Sequence, residues 1–208
     1  MRQQIEFTKN DSIAVIAPHP DDECLGASGA LLLAPSKTDI FVLTDGSHGS
    51  EERSFEEEAA LRRSQFEAEM EYVKPRSYTW LGYEDTKLSC HPECADKIDF
   101  RPYTIIFLPW TKSFHPDHRH AASFCIDAIR RQGAKSSCYF YEINAPFYRP
   151  THYIDITGIV EEKRRLIGFH RDQKKQEAIT LSLNAYRAAQ MPNQPETKFA
   201  ETFEKVEV

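Results

Sequence analysis

The chain has 208 residues, 40% of them hydrophobic and 28% charged, enough to bury a core without disulfides or a structural metal and suited to one domain over residues 1–208. No apolar run approaches the ~20 residues that cross a bilayer, and a net charge of −6 gives no footprint for DNA or RNA, whose binding rests on clustered Lys and Arg. The five cysteines are odd in number and scattered, and the stretch MRQQIEFTKNDS carries no apolar segment with a cleavage site, so free thiols and a cytoplasmic address are expected.

The first apolar run, IAVIA over 13–17, reads as a buried strand, the small-residue segment 26–33 as a helix, and DIFVL over 39–43 as a second strand, which together make a βαβ unit. Residues 54–73 follow as a long helix: apolar positions recur near helical spacing, Ser54 with Glu57 forms a capping-box signature, and the acid run reads as a solvated face. Strands are expected over 77–81 and 104–108 (TIIFL), then a helix over 118–131 ended by Gly133, strands over 137–143 and 153–156, and one closing helix from about 157 to about 189. Such alternation predicts an α/β fold, a mostly parallel sheet with helices on both faces, in which ligands sit beyond the carboxyl ends of the strands.

Two unusual clusters fall at such ends. After the first strand comes Pro18-His19-Pro20-Asp21-Asp22-Glu23, and after the 104–108 strand comes His115-Pro116-Asp117-His118. A catalytic zinc takes three protein ligands from His, Asp, Glu or Cys and leaves a position for water, and His19, Asp22 and His118 make such a set. Proline stiffens the loop: Pro20 fixes its own φ and drives His19 into an extended conformation. Adjacent acids point different ways, so one can bind metal while Asp21 serves as the base for an attacking water. His115, as an imidazolium held by Asp117, would stabilise negative charge on a tetrahedral intermediate and protonate a departing amine. Ligand types and spacing alone therefore point to metal-assisted hydrolysis of a small polar amide.

With these motifs in view, the sequence resembles the LmbE/PIG-L type zinc-dependent N-acetylglucosaminide deacetylases, whose AHPDDE and HPDH signatures match the two clusters. Weaker matches are Thr44-Asp45-Gly46 with Gly49, Arg62-Arg63-Ser64-Gln65 for an Arg-x-x-Glu segment, Asp155-Ile156-Thr157 leading to Lys163, HRDQ from His170 to Gln173, and AETF from Ala200 to Phe203. Gln65 and Asp172 depart from the family's usual Glu and Ser, and Ser113-Phe114 from its acidic approach to HPDH. The resemblance implies a Rossmann-like three-layer sandwich, His19, Asp22 and His118 as zinc ligands, Asp21 as base, and His115 oriented by Asp117 as electrophile or acid. It also implies that Arg62 reaches the substrate or the oxyanion, with Arg63 as the alternative if the helix is rotated. The expected substrate is an N-acetylated amino sugar or its conjugate, with acetate and a free amine as products. A larger amide-linked glucosamine conjugate, or sugar binding without catalysis, are the competing readings, and such donors also accept Fe(II) or Co(II). Oligomeric state is left open.

The remaining candidates read as ordinary. His120, two positions after His118, points to another face of the helix, and His48 sits in a loop. His170 reads as structural or as support behind the site, and Cys90-His91-Pro92-Glu93-Cys94 has no partner pair to complete four ligands. Gly26 and Gly29 lack a G-x-G-x-x-G or P-loop context and read as close helix-to-sheet packing.

Overall fold

In the computed structural model, which describes residues 2–143, 146–171, 174–191 and 193–208, the first buried strand and its neighbours set the frame. Strand β1 is Gln3–Gln4, β2 Ile13–Ala17, β3 Thr38–Thr44, β4 Ser77–Tyr83, β5 Ile105–Leu108, β6 Ser137–Tyr141, β7 His152–Asp155 and β8 Ala200–Val206. They form one sheet in the order β1-β7-β8-β6-β5-β2-β3-β4. All pair in parallel except β8, which runs antiparallel to both β6 and β7. From β2 the chain winds outward through β3 and β4, then returns to lay β5 on the other side of β2. That reversal opens a crevice beyond the ends of β2 and β5, where sheets of this kind bind ligands.

The helices are α1 Asp22–Gly26, α2 Ser28–Leu33, α3 Phe55–Val73, α4 Pro116–Gln132, α5 Val160–Phe169 and α6 Lys174–Ala189. Alternation along β2 sorts them into two layers, because successive side chains leave a strand on opposite faces. Ile13, Val15 and Ala17 pack with Leu25 of α1, Leu31 of α2, Phe66 and Met70 of α3 and Leu166 of α5. Ala14 and Ile16 pack with Ala121, Cys125 and Ile129 of α4 and with Leu88, Ile98 and Phe100. The glycines of the first layer answer to packing. A Cβ on Gly26 would fall 2.2 Å from Cδ2 of Tyr141, and one on Gly29 2.8 Å from Ile154.

Local chemistry sets the helix ends. Ser54 Oγ accepts from Glu57 N, Glu57 returns the bond to Ser54 N, and Gly133 closes α4 in the left-handed region at φ 65°. Three expectations need correction. The segment expected as one helix over 26–33 starts earlier, at Asp22, and breaks at Ala27, whose φ of −140° leaves helical space. The closing helix is two: α5 ends in a tight last turn, His170 N to Ile167 O, as the histidine is drawn inward to Glu69. The acid run of α3 is not wholly solvated, since Glu58 and Glu69 lie on its buried face with Arg62 and Gln65. The five cysteines are free thiols. Of the HRDQ motif, Asp172 and Gln173 lie outside the described residues. Among the described residues no helix is long and apolar enough to cross a membrane.

Candidate metal centre and active site

His19 leaves β2 two residues after its last member, and the tight loop that follows folds Asp22 back onto it. Asp22 Oδ2 accepts the His19 backbone N–H at 2.8 Å and sits 3.2 Å from His19 Nδ1. His118, in the first turn of α4, brings its Nε2 to 3.2 Å from that same oxygen and to 3.3 Å from His19 Nδ1. Three donors from two distant chain segments thus form a near-equilateral triangle. A tetrahedral ion with ~2.0–2.1 Å bonds to nitrogen and oxygen has edges of about 3.3 Å, so the spacing of these residues fits a divalent cation. Burial favours the neutral acid at Asp22, but His118 and His19 overcome it and hold the carboxyl well below its usual range. Asp22 is therefore an ionised carboxylate set between two imidazoles.

A histidine that offers its Nδ1 lone pair carries its hydrogen on Nε2, and carboxylates wait there. His19 Nε2 lies 3.0 Å from Asp85 Oδ1 and 3.4 Å from Asp117 Oδ2, near enough for their charge to favour a hydrogen on Nε2, although neither contact has hydrogen-bond geometry. Asp85 follows β4, so a third strand end contributes to the crevice; its other oxygen accepts His48 N at 3.1 Å.

Asp117 is fully buried, and its carboxylate takes Thr86 N at 2.7 Å and Leu88 N at 3.3 Å. It does not hold the His115 ring, which corrects the sequence expectation. What reaches His115 from Asp117 is the backbone N–H, donated to Nδ1 at 3.3 Å as a helix N-cap bond. Burial, and then the neighbouring His19 and His118, lower the His115 pKa. His115 is therefore a neutral imidazole at neutral pH, with Nδ1 accepting and Nε2–H left to donate.

Asp21 is held differently from its neighbour. It adopts φ 129°, ψ −23°, a conformation that a non-glycine residue rarely takes, and such strain persists where the surroundings over-determine it. Its N–H meets Glu23 Oε2 at 3.2 Å and its Oδ2 accepts Arg62 Nη2 at 2.9 Å. Burial raises the Asp21 pKa, Arg62 works against that shift and Asp22 adds to it, which suits a group that must accept a proton.

Arg62 is buried, and it also binds the Pro20 carbonyl through Nη2, while Nε and Nη1 have no partner. It faces the site from α3, whereas Arg63 lies on the surface against Glu67 and the Trp80 ring.

These groups line one cavity of about 430 Å³: His19, Asp21, Asp22, Arg62, Asp85, His115 and His118 are in its wall, with His48 and Phe114. Phe114 is 82% exposed, and His48 stacks on Phe55 with ring centroids 4.2 Å apart. A larger hollow of about 700 Å³, between Arg2 and Gln194, holds none of the acid and histidine cluster. Sequence reasoning missed Asp85, whose one signal was its place after a strand, and the group behind Asp21 formed by Glu23, Glu69 and His170. With Cys24 these offer four donor atoms within 4.8 Å of one another. The thiol, however, is spent on the Asp21 carbonyl at 3.1 Å, so the group is read here as a hydrogen-bonded network. His120 rests against Phe124, away from the site.

Comparison with known proteins now bears on this geometry. A family model described as PIG-L, GlcNAc-PI de-N-acetylase, matches residues 14–129. The chain is 30% identical over 191 residues to a diacetylchitobiose deacetylase of Thermococcus kodakarensis, covering 80% of this chain and 72% of the relative. Among solved structures it resembles an N,N'-diacetylchitobiose deacetylase from Pyrococcus horikoshii complexed with its inhibitor (TM-score 0.79, 22% identity, 95% of this chain and 84% of that one). It also resembles GalB, a 4-carboxy-2-hydroxymuconate hydratase from Pseudomonas putida (TM-score 0.76, 18% identity, 95% and 97%). The structural likenesses establish the fold, and since the fold carries both reactions, activity has to be argued from the site.

Proposed function

Because this chain belongs to the PIG-L/LmbE family of de-N-acetylases, we propose that it hydrolyses the N-acetyl group of an amino sugar or amino-sugar conjugate with the help of a divalent cation, zinc by preference. The observation that carries the reading is the triangle of His19 Nδ1, Asp22 Oδ2 and His118 Nε2, with edges of 3.2, 3.2 and 3.3 Å, beside an independently held Asp21. These three atoms would hold the ion, which when bound acidifies a water and polarises the acetamide carbonyl.

The rest falls to the protein. Asp21 takes the proton of the water as its oxygen bonds to the carbonyl carbon. His115 donates a hydrogen bond from Nε2–H to the oxygen on which negative charge develops, while the Asp117 N–H keeps Nδ1 an acceptor. Asp21 then passes its proton to the amine nitrogen as the C–N bond breaks, releasing acetate and free amine. Arg62 keeps the Asp21 carboxylate aimed through Nη2. A cavity of about 430 Å³ is within the range that encloses small ligands.

The test is amine release from a panel of N-acetylated mono- and disaccharides, with and without chelator. Release that requires metal and yields equimolar acetate is expected. Undiminished release after complete metal removal would refute the mechanism, and release of amine without acetate would point to a larger amide-linked conjugate.

A further inference from the structure

Of the polar side chains that helix α3 buries, Arg62 and Glu69 stand two turns apart, and both lead to Asp21. Arg62 does so directly. Glu69 does so through a relay in the dry interior, where Glu23, Glu69 and His170 are at most 1% exposed.

The direction of that relay follows from donor chemistry. His170 Nε2 lies 2.8 Å from Glu69 Oε2, and burial keeps this imidazole neutral, so its one hydrogen is donated there. The Glu69 carboxyl in turn lies beside that of Glu23, the donor atoms of Glu23, Glu69 and His170 falling within 4.8 Å of one another. Glu23 Oε1 and Glu69 Oε1 are both buried without a hydrogen-bond partner, and two bare carboxylates side by side in a dry interior repel, so a hydrogen shared between them would satisfy both. Burial, with the charges of Glu23 and Asp21, favours keeping it on Glu69. Glu23 Oε2 then accepts the Asp21 N–H at 3.2 Å. The far end of the chain is the peptide held at φ 129°.

We infer that Glu69 is a positioning residue for the deacetylation proposed above: braced by His170 it aligns Glu23, and Glu23 clamps the Asp21 peptide in the strained conformation that aims the base. The inference rests on the proposed reaction for its consequence but not for its geometry.

Two substitutions separate positioning from bulk structure. Glu69→Gln keeps an oxygen for His170 and an N–H for Glu23, whereas Glu69→Met fills the space with an apolar chain and removes both bonds. Exchanging a buried polar group for a well-packed apolar one of similar volume is commonly tolerated by the fold. With N,N'-diacetylchitobiose as substrate, Glu69→Met is expected to lose at least tenfold in kcat, with KM within threefold and metal content unchanged, and Glu69→Gln to rescue most of that loss. Backbone hydrogen exchange at Asp21 is expected to be at least tenfold faster in Glu69→Met than in the parent and to be restored in Glu69→Gln. The inference is overturned if Asp21 exchange is unchanged in Glu69→Met, if Glu69→Gln is as impaired as Glu69→Met, or if the kcat loss follows metal loss. Exchange needs no substrate, so a parent protein inactive on every acetylated sugar would refute the reaction while leaving the brace to be decided by exchange alone.

Discussion

Removing the charge of Glu201 should be the most damaging conservative change away from the cavity. Glu201 enters from β8 with 1% exposure and spends both oxygens: Oε1 accepts Ser28 N at 2.9 Å, Ser28 Oγ at 2.6 Å and Lys163 Nζ at 2.6 Å, and Oε2 accepts Gly29 N at 2.9 Å. Lys163 is itself fully buried, and its other partner is the Leu25 carbonyl at 2.9 Å. In Glu201→Gln the side chain keeps its length but offers an amide where every neighbour is a donor. Lys163 is left as a buried cation without a counter-charge, which costs about 3–5 kcal/mol, and one of the Ser28 or Gly29 donors loses its acceptor, worth about 1–3 kcal/mol. These overlap, so about 4 kcal/mol is the working figure, and at ~2–4 °C per kcal/mol for a chain of this size Tm should fall by roughly 8–16 °C. Thermal unfolding followed by circular dichroism measures it. Adding Lys163→Met to Glu201→Gln should recover more than half of the loss, because the stranded charge is gone. A fall below about 3 °C in the single variant, or no recovery in the double, would show that the ion pair does not hold α2 and α5 to β8 as described.

Other changes test the site and its packing. Asp21→Asn preserves shape while removing the proton acceptor, so kcat should fall by about 10²–10⁴ with metal content intact; a fall of less than tenfold in steady-state kinetics would relieve Asp21 of that role. His170, pushed down to about 3 by burial and then by Arg62, stays neutral in the folded protein while an unfolded histidine titrates near ~6.5. The unfolded state thus binds the extra proton between these values, stability falls as pH falls through that window, and moving from pH 7 to pH 5 should cost about 2 kcal/mol through this residue. Urea unfolding of His170→Gln at the two pH values should show that share of the slope removed. Gly26→Ala places a methyl 2.2 Å from the Tyr141 ring and should cost about 1–3 kcal/mol by overpacking, read as a lower urea midpoint.

The parts of this fold that follow from sequence are those in which neighbouring residues determine the outcome. Ile13–Ala17 and Ile105–Leu108 are buried on both faces and therefore continuously apolar, and strands of that kind announce themselves. Their succession places both His-Pro-Asp clusters at one crevice before any coordinate is known. Asp85 carries no such signal, being an acid of ordinary composition just past the end of β4. Its meaning comes from β4 lying beside β3, a pairing of distant segments. Glu69 misleads outright: among the acids of α3 it looks solvated, and only the convergence of α1, α3 and the end of α5 makes it a core residue. The partner of His115 misleads for a subtler reason. Spacing puts Asp117 next to it, but helical geometry sends the carboxylate to the loop ahead of Leu88 and leaves the main chain to meet the ring. The strand β8, AETFEKV, is too polar to read as a central strand, yet it is wedged between β6 and β7.

That wedge sets an order of events during synthesis on the ribosome. The ladder from β6 through β5 and β2 to β4 can zip up as its segments emerge, but β7 and the β1 strand paired to it have no seat until residues 200–206 arrive, and neither does the Glu201 carboxylate on which α2 begins. A nascent chain halted at residue 199 would hold the crevice's strands in line while the helix behind Asp22 still lacked its anchor, so the reactive loop should harden only after the final strand slides home.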